Sequence, residues 1–185
     1  MLGRDVRQTT PQRRQELTMS EHLFALPSDS FAVTSDDCYT PRWVFDAMDL
    51  HFDLDVAAPL GGPWHVPTER YYTAEDDGLS QQWEGLVWCN PPFSGFRPWA
   101  EAWAQHDRAV LVGLMISSSW LGETLARAEV VCVLPRLRRF LSPNGKGPDF
   151  RQVPFVAFRG VGTEPAERLA TADPYGAALY GGSIA

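Results

Sequence analysis

At 185 residues, 44% hydrophobic and with a formal net charge of −7, the chain can bury one ordinary core and has little left for a second domain. That acidic balance excludes attraction to polyanions by overall charge, so any nucleic-acid contact requires a local basic surface. No apolar stretch approaches the ~20 residues that span a bilayer, and three dispersed cysteines and four scattered histidines give neither a disulfide framework nor zinc-ligand spacing, so the expectation is a soluble cytoplasmic protein with reduced thiols, no membrane association and no metal.

Residues 1–30 are polar, mixed in charge and without periodicity or the apolar block of a secretion signal, and read as a loosely ordered lead-in, with Met19 as an alternative start. From residue 31 to about 162, short β-rich runs alternate with amphipathic stretches, the pattern of an α/β sheet with crossover helices. In chain order, a helix is predicted over 41–50, with Thr40 as N-cap and Pro41 in the first turn, then strands over 52–58 and 85–89. A second helix over 96–106 turns Trp99, Ala100, Trp103 and Ala104 inward. A strand over 109–116 is followed by a helix over 120–128, for which Ser117 to Ser119 offer hydroxyl caps, and by strands over 130–135 and 154–160. The 109–116 run is apolar enough to be covered on both faces, which favours a mostly parallel central sheet. Residues 163–185, rich in Gly, Ala and Pro, form a tail without an assignable element.

Ligands of open parallel sheets gather outside the carboxyl ends of the strands. The segments DLDVAAP, CNPPF and ISSSW each follow a predicted apolar strand, so all three are expected to face one crevice. Asn-Pro and Pro-Pro are ordinary turn formers, and an aromatic after a turn is commonly core. At a strand end, however, Pro91 and Pro92 supply no N–H, and Asn90 is kept out of the helical region by the proline that follows it. The Asn90 side-chain oxygen and the Pro91 carbonyl are then two acceptors beside the flat face of Phe93. Two acceptors localise the lone pair of a ring-bound amino group and make it nucleophilic, while stacking on an aromatic holds a nucleobase by roughly 1–3 kcal/mol.

The ordered segments YTP (39–41), DLDVAA (53–58), EDDGL (75–79), VWCNPPF (87–93), SSSW (117–120) and RLRRF (136–140) resemble the phage-type (Dam-like) DNA N-6-adenine-methyltransferase family from about Cys38 to Phe158. The resemblance implies a Rossmann-like S-adenosylmethionine-dependent methyltransferase fold, mostly parallel, that methylates the exocyclic N6 amine of adenine in DNA after the base is flipped out, in a bacterial or phage setting. It places Tyr39, Thr40 and Pro41 over the methionine end of S-adenosylmethionine. Asp55 and the small Ala57 and Ala58 match the donor motif, and Asp77 matches the acid that takes a hydrogen bond from the donor's adenine. Asn90, Pro91, Pro92 and Phe93 match the catalytic motif. Arg136, Arg138, Arg139 and Lys146 fit either a solvated basic loop or phosphate contacts, and Trp120 and Phe140 either the target pocket or the core. Only Gly61-Gly62 stands where a glycine-rich donor loop would be, and Phe93 replaces the commoner tyrosine. The turn alone fits RNA adenine and protein amide methyltransferases too, and a non-catalytic nucleotide-binding domain is the reading from another class.

Overall fold

The structure of the protein, a computed structural model, describes residues 36–135, 140–142, 150–173 and 176–181. Among them, four α-helices flank a six-stranded sheet of order β1-β2-β3-β5-β4-β6. The strands are β1 (Leu54–Asp55), β2 (Val87–Cys89), β3 (Ala109–Leu114), β4 (Val130–Val133), β5 (Pro154–Arg159) and β6 (Ala178–Gly181). The helices are α1 (Arg42–Met48), α2 (Phe96–Gln105), α3 (Ser119–Leu125) and α4 (Glu164–Ala172).

All six residues of β3 are buried, because alternate side chains enter two separate cores. Val110 and Val112 join Trp88, Val156 and Phe158 beneath α1 and α4, which contribute Phe45, Met48 and Leu169. Ala109 and Leu111 join Val87, Phe155 and Ala157 beneath α2 and α3, which contribute Trp103 and Leu121. The period-2 geometry of a strand thus explains why this apolar run needs a helical layer on each side. Within α2, Phe96, Ala100, Trp103 and Ala104 are buried at helical spacing, and the Trp103 indole donates to the Ala109 carbonyl at 3.2 Å.

Coverage of both faces does not make the sheet mostly parallel. It is mixed: β1-β2 and β2-β3 are parallel, whereas β3-β5, β4-β5 and β4-β6 are antiparallel. The chain reverses between β4 and β5 and places β5 between β3 and β4, an arrangement that apolarity cannot announce because burial is indifferent to strand direction. The stretch from residue 163 onward contributes α4 and the edge strand β6. Pro41, in an extended conformation, takes the N-cap position of α1 in place of Thr40, and neither it nor Ser118, the N-cap of α3, makes a side-chain cap bond. The lead-in of residues 1–30 lies outside the described residues. No helix among the described residues is long and apolar enough to cross a membrane.

A Cβ added at Gly113 in β3 would meet the rings of Phe96 and Phe155. Gly113→Ala is therefore expected to lower stability by about 1–3 kcal/mol, the usual cost of overpacking, measured by urea denaturation.

Candidate active site

Because β1 and β2 are parallel neighbours, with Asp55 opposite Trp88, their carboxyl ends bring Asp55 and Asn90 together from distant points of the sequence. The Val56 N–H donates to the Trp88 carbonyl at 3.1 Å and extends this pairing past the last residue of β1. Beyond the two strand ends lies a cavity of about 470 Å³, within the range of small-molecule sites. Of the residues singled out from sequence, Tyr39, Thr40, Asp55, Ala57, Asp77 and Asn90 line it, together with Pro92 and Ala58. Pro41, Pro91 and Phe93 do not.

The amide of Asn90 has a defined sense. Its Nδ2 donates to the backbone carbonyl of Cys38 at 2.6 Å, and a carbonyl can only accept, so the NH₂ must face it and Oδ1 must point away. Oδ1 is buried and has no hydrogen-bond partner, as is the hydroxyl of Thr40, which is 2% exposed. Buried polar atoms without partners are uncommon, and both of these belong to residues that line the cavity.

Asp55 is 3% exposed on the same wall. Burial pushes its carboxyl up to about 7, partly offset by the hydrogen bond that Oδ1 accepts from the Ala57 N–H at 3.1 Å. A buried carboxyl of this kind gains from a cationic neighbour. The acidic cluster that follows divides by role. Asp76 Oδ2 accepts from the N–H and hydroxyl of Thr73, at 2.8 and 2.9 Å, and so fixes the turn. Asp77, with a positive φ of 52°, is the acid that lines the cavity. Gly78 permits this, since a Cβ there would run into the Val56 carbonyl oxygen; the Trp83 indole also donates to the Gly78 carbonyl at 2.8 Å.

Sequence reasoning gave no site role to three tryptophans that line the cavity, Trp64, Trp88 and Trp99. Trp64, in the Gly/Pro-rich loop after the donor motif, stacks on Tyr39 with ring centroids 5.1 Å apart and lines the cavity. Trp99, assigned only to a helix face, also reaches it. A tryptophan in a glycine- and proline-rich loop at a strand's carboxyl end was the available signal for Trp64.

Phe93 is half-buried, in an aromatic cluster away from the cavity. Phe96, Phe140 and Phe150 all meet its ring edge-on, with centroids at 6.4, 5.4 and 5.4 Å. Phe140 is 0% exposed, so it backs Phe93 and offers no surface of its own to a target strand. Trp120 is half-buried against Phe96, with the Arg97 guanidinium 5.9 Å from its ring. Arg136, Arg138, Arg139 and Lys146 lie outside the described residues. Cys38, Cys89 and Cys132 are buried thiols, all raised by burial. Among the described residues no group of His, Cys, Asp and Glu side chains has the arrangement of a metal site.

A family model described as DNA N-6-adenine-methyltransferase (Dam) matches residues 28–152, a span that takes in the whole cavity wall described above. The chain belongs to the Dam family. No curated protein and no solved structure matches it. Dam-family membership indicates adenine N6-methylation of DNA as the general activity, and a methyl donor as the ligand that such a protein must hold. The chemistry of the lining, with one buried carboxyl, two unpartnered polar atoms and apolar ring faces, fits a cationic, partly aromatic donor.

The titration of Asp55 gives a test of this wall in the free protein. Its folded-state value of about 7 lies above the ordinary 3.8, so its contribution to stability is full below about pH 3.8, declines as pH rises, and is lost above about 7. Asp55→Asn keeps an oxygen for the Ala57 N–H and is expected to flatten the fall in unfolding free energy between about pH 4 and 7.5, measured in urea.

Proposed function

We propose that this protein transfers a methyl group from S-adenosylmethionine to the N6 amine of adenine in DNA. The observation that carries the reading is the Asn90 amide: its NH₂ is tied to Cys38, its buried oxygen is left without a partner, and the residue lines the cavity. A Rossmann-like methyltransferase fold agrees with this, since the cavity opens at the carboxyl ends of two parallel strands.

Thr40 and Asp55 would hold the polar and cationic parts of the donor, with Tyr39 closing over it, and Asp77 would accept a hydrogen bond from its adenine. Ala57 and Ala58 keep the wall low enough for close approach. When bound, S-adenosylmethionine supplies an electrophilic methyl carbon on a positively charged sulfur. Placing a cation beside Asp55 favours the ionised carboxylate, so donor binding near neutral pH releases a proton from this residue.

On the acceptor side, Asn90 Oδ1 and the Pro91 carbonyl would each accept one N–H of the adenine amine and draw the nitrogen lone pair out of conjugation. As positive charge grows on that nitrogen, both hydrogen bonds strengthen, which lowers the barrier itself and not merely the free energy of binding. No side chain has to titrate for the attack to occur. The base would be rotated out of the duplex and held against the exposed part of Phe93. The basic residues flank this position along the chain: Arg136, Arg138 and Arg139 precede Phe140, and Lys146 lies between Ser142 and Phe150, while both phenylalanines pack on Phe93. They would hold the phosphates, with Trp120 and its neighbour Arg97 at the edge of the contact.

Two experiments test this reading. With methyl-labelled donor and separate DNA, RNA and protein acceptors, label is expected in N6-methyladenine of DNA, and Asn90→Ala is expected to reduce it by roughly 10²–10³-fold while donor binding persists. Label in RNA or protein alone, or an equally active variant, would count against it. Arg138 and Arg139 together are expected to contribute about 2 to the slope of log affinity against log salt for duplex DNA; a double alanine variant with an unchanged slope would remove them from the interface.

A further inference from the structure

The catalytic turn is poor in its own means of attachment. Pro91 and Pro92 have no N–H, so the backbone donors after Asn90 begin with Phe93, and the next is that of Ser94. That N–H donates to Asp36 Oδ1 at 3.0 Å, and the Ser94 hydroxyl donates to Asp36 Oδ2 at 2.6 Å. A carboxyl group therefore accepts from both donors of one residue 58 positions away, and the hydroxyl bond is short.

The residues after Asp36 serve the same turn from the other side. Cys38 gives its carbonyl to Asn90 Nδ2, and Tyr39 exchanges both backbone hydrogen bonds with Leu141 at 2.8 Å, next to the buried Phe140 that backs Phe93. Residues 36–40 also form one wall of the cavity. A single extended strap thus touches the donor cavity, the amide, the end of the turn and the segment behind the aromatic ring.

From this we infer that Asp36 is a positioning residue for methyl transfer: by holding Ser94, it fixes the far end of the Asn-Pro-Pro-Phe turn while Cys38 fixes the near end, so that the Asn90 oxygen, the Pro91 carbonyl and Phe93 keep one geometry. The inference rests on the transfer reading above. It goes beyond that reading because it gives Asp36, which stands on the cavity wall, a role exerted through Ser94 and not through the donor or the acceptor amine. Asp36 is exposed, so its removal leaves the core intact.

The test compares Asp36→Ala with Asp36→Asn, whose amide can accept from the Ser94 N–H and donate to the Ser94 hydroxyl. Asp36→Ala is expected to slow single-turnover methylation of adenine in duplex DNA by roughly 10- to 100-fold, the scale of a misplaced reacting group, with the donor Kd within about 3-fold of the parent. Asp36→Asn is expected to recover most of the rate. Full activity in Asp36→Ala, or an equal loss of rate and donor affinity, would overturn the inference, the latter because it would make the strap a donor-binding wall only. Hydrogen exchange at the Ser94 and Gly95 amides is expected to be faster in Asp36→Ala than in Asp36→Asn. If the parent protein forms no N6-methyladenine, the transfer reading falls by itself, and unchanged exchange at these amides would separately remove the clip.

Discussion

In the proposed transfer, one hydrogen bond sets the chemistry of the site: the Asn90 side-chain amide donating to the Cys38 carbonyl. A free amide can turn its oxygen or its nitrogen toward a ligand, and only the oxygen is of use to an amine. Tying the NH₂ to a group that cannot donate removes the choice before any ligand arrives. The oxygen is thereby kept buried and unpartnered, a state that costs on the order of 1–3 kcal/mol of lost hydration and is tolerated where a ligand will repay it.

The fold exists, for this purpose, to hold that bond. Two parallel strands end side by side and place Asp55 and Asn90 on one wall, and the two cores above and below the sheet prevent either strand from shifting. Trp88, one residue before Cys89, illustrates the coupling: it lies against Phe45 and Phe52 with centroids at 4.7 and 5.2 Å, and also lines the cavity. Packing of α1 against the sheet is therefore felt directly at the cavity. Burial of the strand ends also raises Asp55, so the apolar surroundings that fix the geometry prepare the site for a positive charge.

Much of this was legible in the sequence, and the rest was hidden for definite reasons. The apolar runs around residues 87–89, 109–114, 130–133 and 154–159 announced their strands because each is buried through most of its length. Their directions were not announced, since β5 is as apolar as a parallel strand would be, and its antiparallel pairing is decided by the return path of the chain. The edge strand β6 is short and largely exposed, so it carries no apolar signature. For α4 a signal was present and unused: Pro165 lies in its first turn with Glu164 and Glu167 around it, as helix starts favour. At the site, the family motifs identified the lining residues Tyr39, Thr40, Asp55, Ala57, Asp77 and Asn90. They left Phe140 open between core and base pocket, since its aromatic character fits both equally well and only its burial decides, and they passed over Asp36, because a hydrogen bond between residues 36 and 94 leaves no trace in local spacing.

The most direct measurement is a crystal structure of the protein with a non-transferable donor analogue and a duplex containing a flipped adenine. The account predicts the adenine N6 within about 3 Å of Asn90 Oδ1, with the Asn90 NH₂ still on the Cys38 carbonyl. An Asn90 amide turned the other way, or an adenine amine bound away from it, would contradict the account at its root.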